Sequence, residues 1–232
     1  MITNSLLDTT FVASLTATAV SKVVLLLHFD GTEGQTTFTD SSHLNHTVTA
    51  VGTGRLTTSA SKFGGSSLLL DGSGYVELAA SSDWTMGTGN WTIEFWINWT
   101  TIRNDNGMFT WRKDSNDNNA FGCWFNNPNH KIQMSLNNDG YPMAWTSWTP
   151  TLGQWYHLAY VRNGNNVRLF VDGTSWGDVD ITGANGAYST ATLKVGAGQP
   201  SAYQVIGYMD EVRYTKAAVY SANFTASGPL SP

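Results

Sequence analysis

The sequence predicts an all-β chain folded as a two-sheet antiparallel β-sandwich, and three observations carry that expectation. The stretch WTIEFWINW, residues 91–99, alternates strictly. Trp91, Ile93, Phe95, Ile97 and Trp99 share one face, while Thr92, Glu94, Trp96 and Asn98 share the other. Such period-two alternation marks a half-buried strand. The stretch WYHLAYVRNGNNVRLFVDGTSWG, residues 155–177, reads as strands joined through Asn-Gly and Asp-Gly turns, a strong hairpin signal. Finally, charged residues make up only 12% of the chain, so solubility rests on Ser, Thr, Asn and Gly. Ser, Thr and Asn compete for backbone hydrogen bonds and suit turns between strands better than helices.

The elements follow in order. Residues 1–21 are rich in Thr, Ala and Ser and carry one charge, Asp8. They read as an arm that docks on its own domain or on a neighbouring subunit, or equally as an extra edge strand. KVVLLLHF, residues 22–29, is a fully buried strand, and SSLLLDGSGYVEL, residues 66–78, gives two short strands around a Gly-rich turn. Ile93, Phe95 and Ile97 are expected between the sheets with Leu169 and Val171, leaving Glu94 and Trp96 on the opposite face. YTKAAVYS, residues 214–221, is the one stretch that suggests a short helical turn. Residues 22–232 form a single sandwich domain, long enough to bury a core without disulfides.

Composition narrows the function. A net charge of −5 without a basic stripe argues against nucleic-acid binding. Cys123 is the single cysteine, which excludes an intramolecular disulfide and a thiolate zinc cluster. The first basic residue is Lys22, and the opening MITNSLLDTTFVASLTATAV lacks both a charged start and a solid apolar stretch, so no secretory signal is expected. No apolar run approaches the ~18 residues of a membrane span. A protein of this kind that works outside a cell is expected to leave by assembly or lysis.

Six stretches in sequence order carry a family resemblance: LLLHFDG, FTDSSHLNHTVTA, FGGSSLLLDGSGYVEL, WTIEFWINW, WYHLAYVRNGNNVRLFVDG and MDEVRYTKAAVYSANFT. Together they span Lys22 to Phe224. The chain resembles a LamG-like, concanavalin A-like jelly-roll domain, particularly the branch found in phage tail, fibre and other virion proteins. The resemblance implies two facing sheets, one of them concave, a lectin-like glycan-binding role, and in some members a structural calcium ion.

Candidate catalytic motifs fail one by one. GTSWG, residues 173–177, matches the G-x-S-x-G pattern, but that pattern needs a strand–turn–helix context and Ser175 follows a hairpin turn. Glycosidases of this fold carry paired carboxylates on one strand. WTIEFWINW offers Glu94 alone, followed on its face by Trp96 and Asn98. Asp210 and Glu211 are adjacent and so point to opposite faces of a regular strand. Asp178 and Asp180 are expected in a loop. His43 and His46 lack a third metal ligand nearby, and His46 reads as a structural hydrogen-bonder; His28, His130 and His157 read as packing or surface residues. No enzymatic activity is expected.

Calcium is a stronger expectation, because hard cations want several oxygen ligands. DSNDNNAFG, residues 114–122, lacks the Gly and Glu that an EF-hand loop requires. In jelly rolls of the resembling family a calcium ion often lies where the first and last strands meet. That implies Asp30 and Asp210 as metal ligands, with a carbonyl from Gly64 or Gly65. On a regular strand Asp210 would share its face with Tyr208, Val212 and Tyr214, so its carboxylate needs calcium or the N–H groups of a crossing loop. Glu211 and Arg213 would be same-face neighbours that offset each other. The sequons at Asn45, Asn90, Asn98 and Asn223 are expected by chance in so Asn- and Thr-rich a chain.

The segment 103–149 holds Trp111, Trp124, Trp145 and Trp148 among the Asn- and Asp-rich runs RNDNG, DSNDNN, NNPNH and NNDGYP. Flat aromatic faces stack on sugar C–H groups while amides and carboxylates bond the hydroxyls. Trp111, Trp124 and Asn126 are therefore the glycan-binding candidates in this segment, with Glu94 and Trp96 for the sheet face. Trp residues in a sandwich also fill cores, and that alternative stays open for each. Two functions compete. One is a virion-associated lectin-like protein binding glycans at a host or particle surface. The other is a capsid decoration or fibre component, docking other virion proteins or further copies of itself. A secreted bacterial carbohydrate-binding module comes third.

Overall fold

The computed structural model describes residues 22–111, 121–126, 130–136, 143–145, 148–184, 191–198 and 203–232. The expected arm at 1–21 lies outside these residues. The early strands are β1 (Val23–Leu27), β2 (Thr37–Phe38), β3 (Val48–Val51), β4 (Arg55–Thr57), β5 (Ser67–Asp71) and β6 (Tyr75–Leu78). After a short 3-10 turn at Ser82–Trp84 come β7 (Trp91–Thr101), β8 (Asp105–Trp111), β9 (Phe121–Asn126), β10 (Lys131–Leu136) and β11 (Met143–Trp145). The last are β12 (Trp155–Asn163), β13 (Asn166–Val171), β14 (Thr174–Asp180), β15 (Leu193–Val195) and β16 (Ile206–Thr215).

They form two eight-stranded sheets. The first runs β14-β13-β12-β7-β16-β5-β4, with β1 also paired to β16; the second runs β11-β10-β9-β8-β15-β6-β3-β2. The strict alternation of β7 sets the layering. Ile93, Phe95, Ile97, Leu169 and Val171 enter one continuous core with Phe109, Trp111, Phe121 and Phe125 of the second sheet. Each such side chain contributes about 1.5–3 kcal/mol by leaving water. Glu94 and Trp96 lie outside that cluster, on the outer face, as the alternation requires.

That outer face is not open to solvent. Residues after β16 run back across it instead of forming the helical turn expected at 214–221, and they are irregular. Tyr220 and Phe224 stack at 3.6 Å and pack with Ala159, Val161 and Phe170. Leu230 closes a smaller cluster with Val23 and Leu26. Beneath this segment Glu94 is completely buried. Its Oε1 accepts Arg213 Nη2 at 2.6 Å and Nε at 2.9 Å; its Oε2 accepts Tyr220 Oη at 2.8 Å and meets His157 Nε2 at 3.1 Å. Burial pushes this carboxyl up, but His157 and the Arg213 charge outweigh it and hold the group below the usual carboxylate range. Arg213 Nη1 continues to the Ser231 carbonyl at 2.8 Å.

The strand β16 changes partner midway. Ile206–Met209 pair with β5, and Val212–Thr215 pair with β1. At the junction the register against β7 shifts between Asp210 and Arg213, and Glu211 takes a left-handed φ of 51°. This bulge corrects the expected facing. Met209, Val212 and Tyr214 all enter the core, so Asp210 does not share a face with Val212 and Tyr214. Arg213 pairs with Glu94, while Glu211 binds His28 Nδ1 at 2.9 Å and accepts Leu230 N–H at 2.6 Å. Asp178 and Asp180 stand on β14 rather than in a loop, and Asp178 forms a salt bridge with Arg168. Ser175 lies on the same hairpin strand, away from any helix.

Replacing Glu94 by Gln leaves the Arg213 cation without its partner and sets an amide against donors. The expected loss is about 3–5 kcal/mol in urea unfolding at neutral pH. A depressed carboxyl pKa contributes stability above the unfolded value of about 4.3, lost as pH falls through the folded value. The acid limb of a stability–pH curve should therefore be shallower in Glu94→Gln than in the wild type. A curve of unchanged shape would exclude this role for Glu94.

Candidate functional site

The second sheet carries an outer face that the C-terminal segment does not reach. On β9, Phe121, Cys123 and Phe125 point into the core, which turns Gly122, Trp124 and Asn126 outward. Trp124 is half-buried, and its indole lies across Gly122, where any Cβ would collide with the ring. Glycine at 122 is thus what lets this tryptophan lie flat on its own sheet. A Cβ at Gly198 would likewise press on Trp124 Nε1, at 3.0 Å.

Tyr203 is held beside it through its backbone. The N–H groups of Gly107 and Gly198 both donate to the Tyr203 carbonyl at 2.9 Å, and the Tyr203 residue is 37% exposed. The polar groups are set from the start of β8. Asn126 pairs in register with Asp105 and donates from Nδ2 to Asp105 Oδ1 at 2.6 Å. Asn106, completely buried, donates to the Arg103 carbonyl at 2.9 Å and fixes the loop before the strand. Arg103, Asn104, Asp105 and Tyr203 line one open pocket. Aromatic faces next to an amide, a carboxylate and a guanidinium can stack on a sugar ring and bond its hydroxyls. The pocket lining holds one carboxylate, whereas general acid–base glycoside hydrolysis uses two.

The structure sorts the candidate residues. Trp124 and Asn126 come together in this place. Trp111 does not: it has no exposed surface and stacks on Phe121 at 4.5 Å between the sheets, so a glycan-facing role is ruled out by burial. Glu94 and Trp96 are also removed from any open face. Glu94 is enclosed by its four hydrogen bonds, and Trp96 lies under Lys62, whose Nζ is 4.1 Å from the ring centroid, and against Phe63. Trp148 packs against the core, and of Trp145 only the strand is described. His46 is a structural hydrogen-bonder between Asp40 and Asp83, at 2.8 and 3.0 Å. Arg103, Asn104 and Asp105 belong to the RNDNG run, whose polar density was the available signal; nothing in the sequence singles out Tyr203.

The comparisons with known proteins can be set against this geometry. The family model for the concanavalin A-like lectin/glucanases superfamily, Laminin_G_3, matches residues 70–223, well over half of the chain. The chain belongs to this superfamily. Solved structures agree on the fold. Domain 4 of AbnA, an extracellular arabinanase from Geobacillus stearothermophilus solved in complex with arabinotriose, superposes with a TM-score of 0.66 at 17% identity, covering 86% of this chain and 94% of that one. The binding domain of Paraclostridial Mosquitocidal Protein 1 gives 0.66 at 14% identity, covering 87% of this chain and 50% of that one. The receptor binding domain of a botulinum neurotoxin C/D mosaic serotype gives 0.64 at 13% identity, covering 87% and 49%. This chain therefore spans about half the length of the two toxin domains. A search of curated protein sequences returns no significant match.

Asp30 and Asp210 each contact the loop at residues 62–64. Asp210 Oδ2 accepts Lys62 N–H at 2.8 Å and Phe63 N–H at 3.1 Å, the crossing-loop compensation expected as one alternative. Asp30 lies against Gly64, where a Cβ would strike its carboxylate, and Gly64 has φ of 58°. Asp210 Oδ1 is buried with no hydrogen-bond partner. Burial raises the Asp210 pKa to about 7 against the pull of the Lys62, Phe63 and Glu211 N–H groups, and the Glu211 charge adds to the rise. The orphaned Asp210 oxygen and the Asp30 carboxylate against Gly64 are the kind of ligand a hard cation takes. Among the described residues no three His, Cys, Asp or Glu side chains cluster, so backbone carbonyls would complete the shell. Asp30 and Asp210 would hold calcium there, and the ion would neutralise the buried charge and tie the loop to β16.

Thermal melting tests this fit. After EDTA treatment the wild type should melt lower and recover with calcium, by about 2.7 kcal/mol at about 100 times Kd. Asp210→Asn should keep its two N–H contacts and ignore both additions. A wild-type melting temperature indifferent to EDTA and to calcium would leave Asp210 as a hydrogen-bonded structural residue only.

Proposed function

We propose that this protein is a non-catalytic, carbohydrate-binding jelly roll that holds a glycan on the outer face of its second sheet. The observation that carries the reading is Trp124, laid flat over Gly122 beside the Asp105–Asn126 pair, Arg103, Asn104 and the exposed Tyr203. A half-exposed ring held rigid on a strand offers a stacking face with little entropy left to lose, and planar polar groups at its edge give orientation. The superfamily is named for lectins and glucanases, one related fold was solved with arabinotriose, and for another, from botulinum neurotoxin type C, cell entry is described as dependent upon interaction with two ganglioside molecules. These support a sugar as the ligand class. Glu94, the carboxylate a glucanase of this fold would need on β7, is committed to Arg213, His157 and Tyr220, which supports binding without hydrolysis. The sequence resemblance to phage tail and fibre domains makes a virion the proposed setting, with the glycan on a host or particle surface and calcium as a structural ion.

A glycan array separates this reading from simple docking. Trp124→Ala should weaken binding by about 1–2 kcal/mol, roughly five- to thirtyfold, with little change in melting temperature, because the ring lies outside the core. Unchanged binding, or a wild type that binds no glycan, would favour docking between proteins. Mass spectrometry of purified virions should find the chain in the particle; its absence would remove the virion setting and leave the sugar site standing.

A further inference from the structure

The outer face of the first sheet is covered over its middle strands, and one row left outside that cover is informative. Trp155, Asn98 and Tyr208 stand in one row across β12, β7 and β16. The neighbouring row on the same face, His157, Trp96 and Asp210, lies beneath Tyr220, Phe224, Phe63 and Lys62. Those residues do not cover the two ends of the Trp155–Asn98–Tyr208 row: Trp155 and Tyr208 are both partly exposed, their ring centroids 6.4 Å apart and tilted by 40°, with Asn98 buried between them. The row continues through Leu69 of β5 to Arg55 of β4, both partly exposed. In the loop before β12, Leu152 is 53% exposed.

Asn98 decides what chemistry this row asks for. It is 5% exposed, and its Nδ2 donates to the Gly153 carbonyl at 3.1 Å. Its Oδ1 has no hydrogen-bond partner. A buried amide oxygen left unpaired is destabilising, and no donor of the described residues, the Trp155 indole and Tyr208 hydroxyl included, bonds it. An aliphatic protein side chain seated on the row would leave that oxygen as it is. A sugar ring meets both needs, stacking C–H groups on Trp155 and Tyr208 and donating a hydroxyl to Asn98 Oδ1.

We propose that Trp155, Asn98 and Tyr208 form a second carbohydrate-binding platform, on the opposite side of the sandwich from Trp124. It takes one sugar ring, with the rings turning slightly to admit the hydroxyl to Asn98. The site goes beyond the Trp124 reading and does not depend on it. Two platforms on opposite sheets would let one molecule bridge two glycan chains, so that weak single contacts add as avidity.

The test uses the full chain labelled with nitrogen-15. The indole N–H signals of Trp124 and Trp155 are assigned with Trp→Phe variants and followed during titration with glucose, galactose, mannose, N-acetylglucosamine, arabinose and arabinotriose. At least one of these sugars should shift the Trp155 signal saturably, and the shift should persist in Trp124→Ala. Tyr208→Ala should weaken that response about tenfold. Tyr208→Leu keeps apolar bulk without the ring and should show the same loss should the alanine variant fold poorly. Three results would overturn the proposal: no response at Trp155 to any of the sugars, a response that vanishes in Trp124→Ala, or a Trp155 shift on dilution without sugar, which would mark contact between copies. A response at Trp155 alone would sink the Trp124 site and keep this one, and a response at Trp124 alone would do the reverse.

Discussion

A single buried carboxylate, Glu94, organises the outer side of the first sheet. An isolated charge in that position would cost several kcal/mol. Here it meets four donor atoms from three stretches of chain: His157 on β12, Arg213 on β16 and Tyr220 beyond the last strand. Each donor is needed by the carboxylate, and the carboxylate is needed by Arg213. The C-terminal residues are thereby drawn across the sheet, and the Arg213 contact with Ser231 holds their far end. The Tyr220–Phe224 stack follows from this anchoring, since the segment must bury something once it lies there.

The two sheets therefore have different outward faces for different reasons. The first is covered over its middle by its own chain, while the Trp155 row and the Arg168–Asp178 pair stay partly exposed. The second is not crossed by the C-terminal segment, and its flat features come from absent side chains: Gly122, Gly107 and Gly198 make room for Trp124 and for the backbone around Tyr203. On the first sheet, charge pairing creates the cover. On the second, glycine creates the recess. The bulge at Asp210 and Glu211 belongs to the first kind, because it sits where β16 exchanges β5 for β1 and sends both carboxylates to partners outside the strand ladder.

Much of this was legible in the residues. The alternation of 91–99 named the core side of β7 correctly, and the Asn-Gly turn located β12 and β13, while the end of β14 at Asp178 and Asp180 was expected as a loop. Trp124 and Asn126 were picked as candidates from a tryptophan set among amides, and the structure puts both on the outward face of β9. What could not be read was anything depending on a distant segment crossing over. Alternation places Glu94 and Trp96 on the outer face, but it carries no information about residues 216–232 returning to cover them. Trp111 obeys the same period as Trp124, and only the bulge between Gly107 and Phe109 decides that it turns inward. The bulge in β16 likewise inverted the expected partners of Glu211 and Arg213, because one extra residue reverses every side chain beyond it.

The position of β16 has a consequence for how the molecule comes into being. It lies between β7 on one edge and β5 and β1 on the other, yet it is the last strand of the described chain. During synthesis β1, with its run Val23–Leu27, emerges long before the strand that will pair with it. Until then an unbroken apolar segment has no partner on the ribosome, a condition that invites association with other nascent chains. Pairings this far apart in the chain also form slowly, because the loop must close before any contact rewards it. The first sheet can be completed only after nearly the whole of the described chain has been made, so β1 spends most of synthesis without its partner.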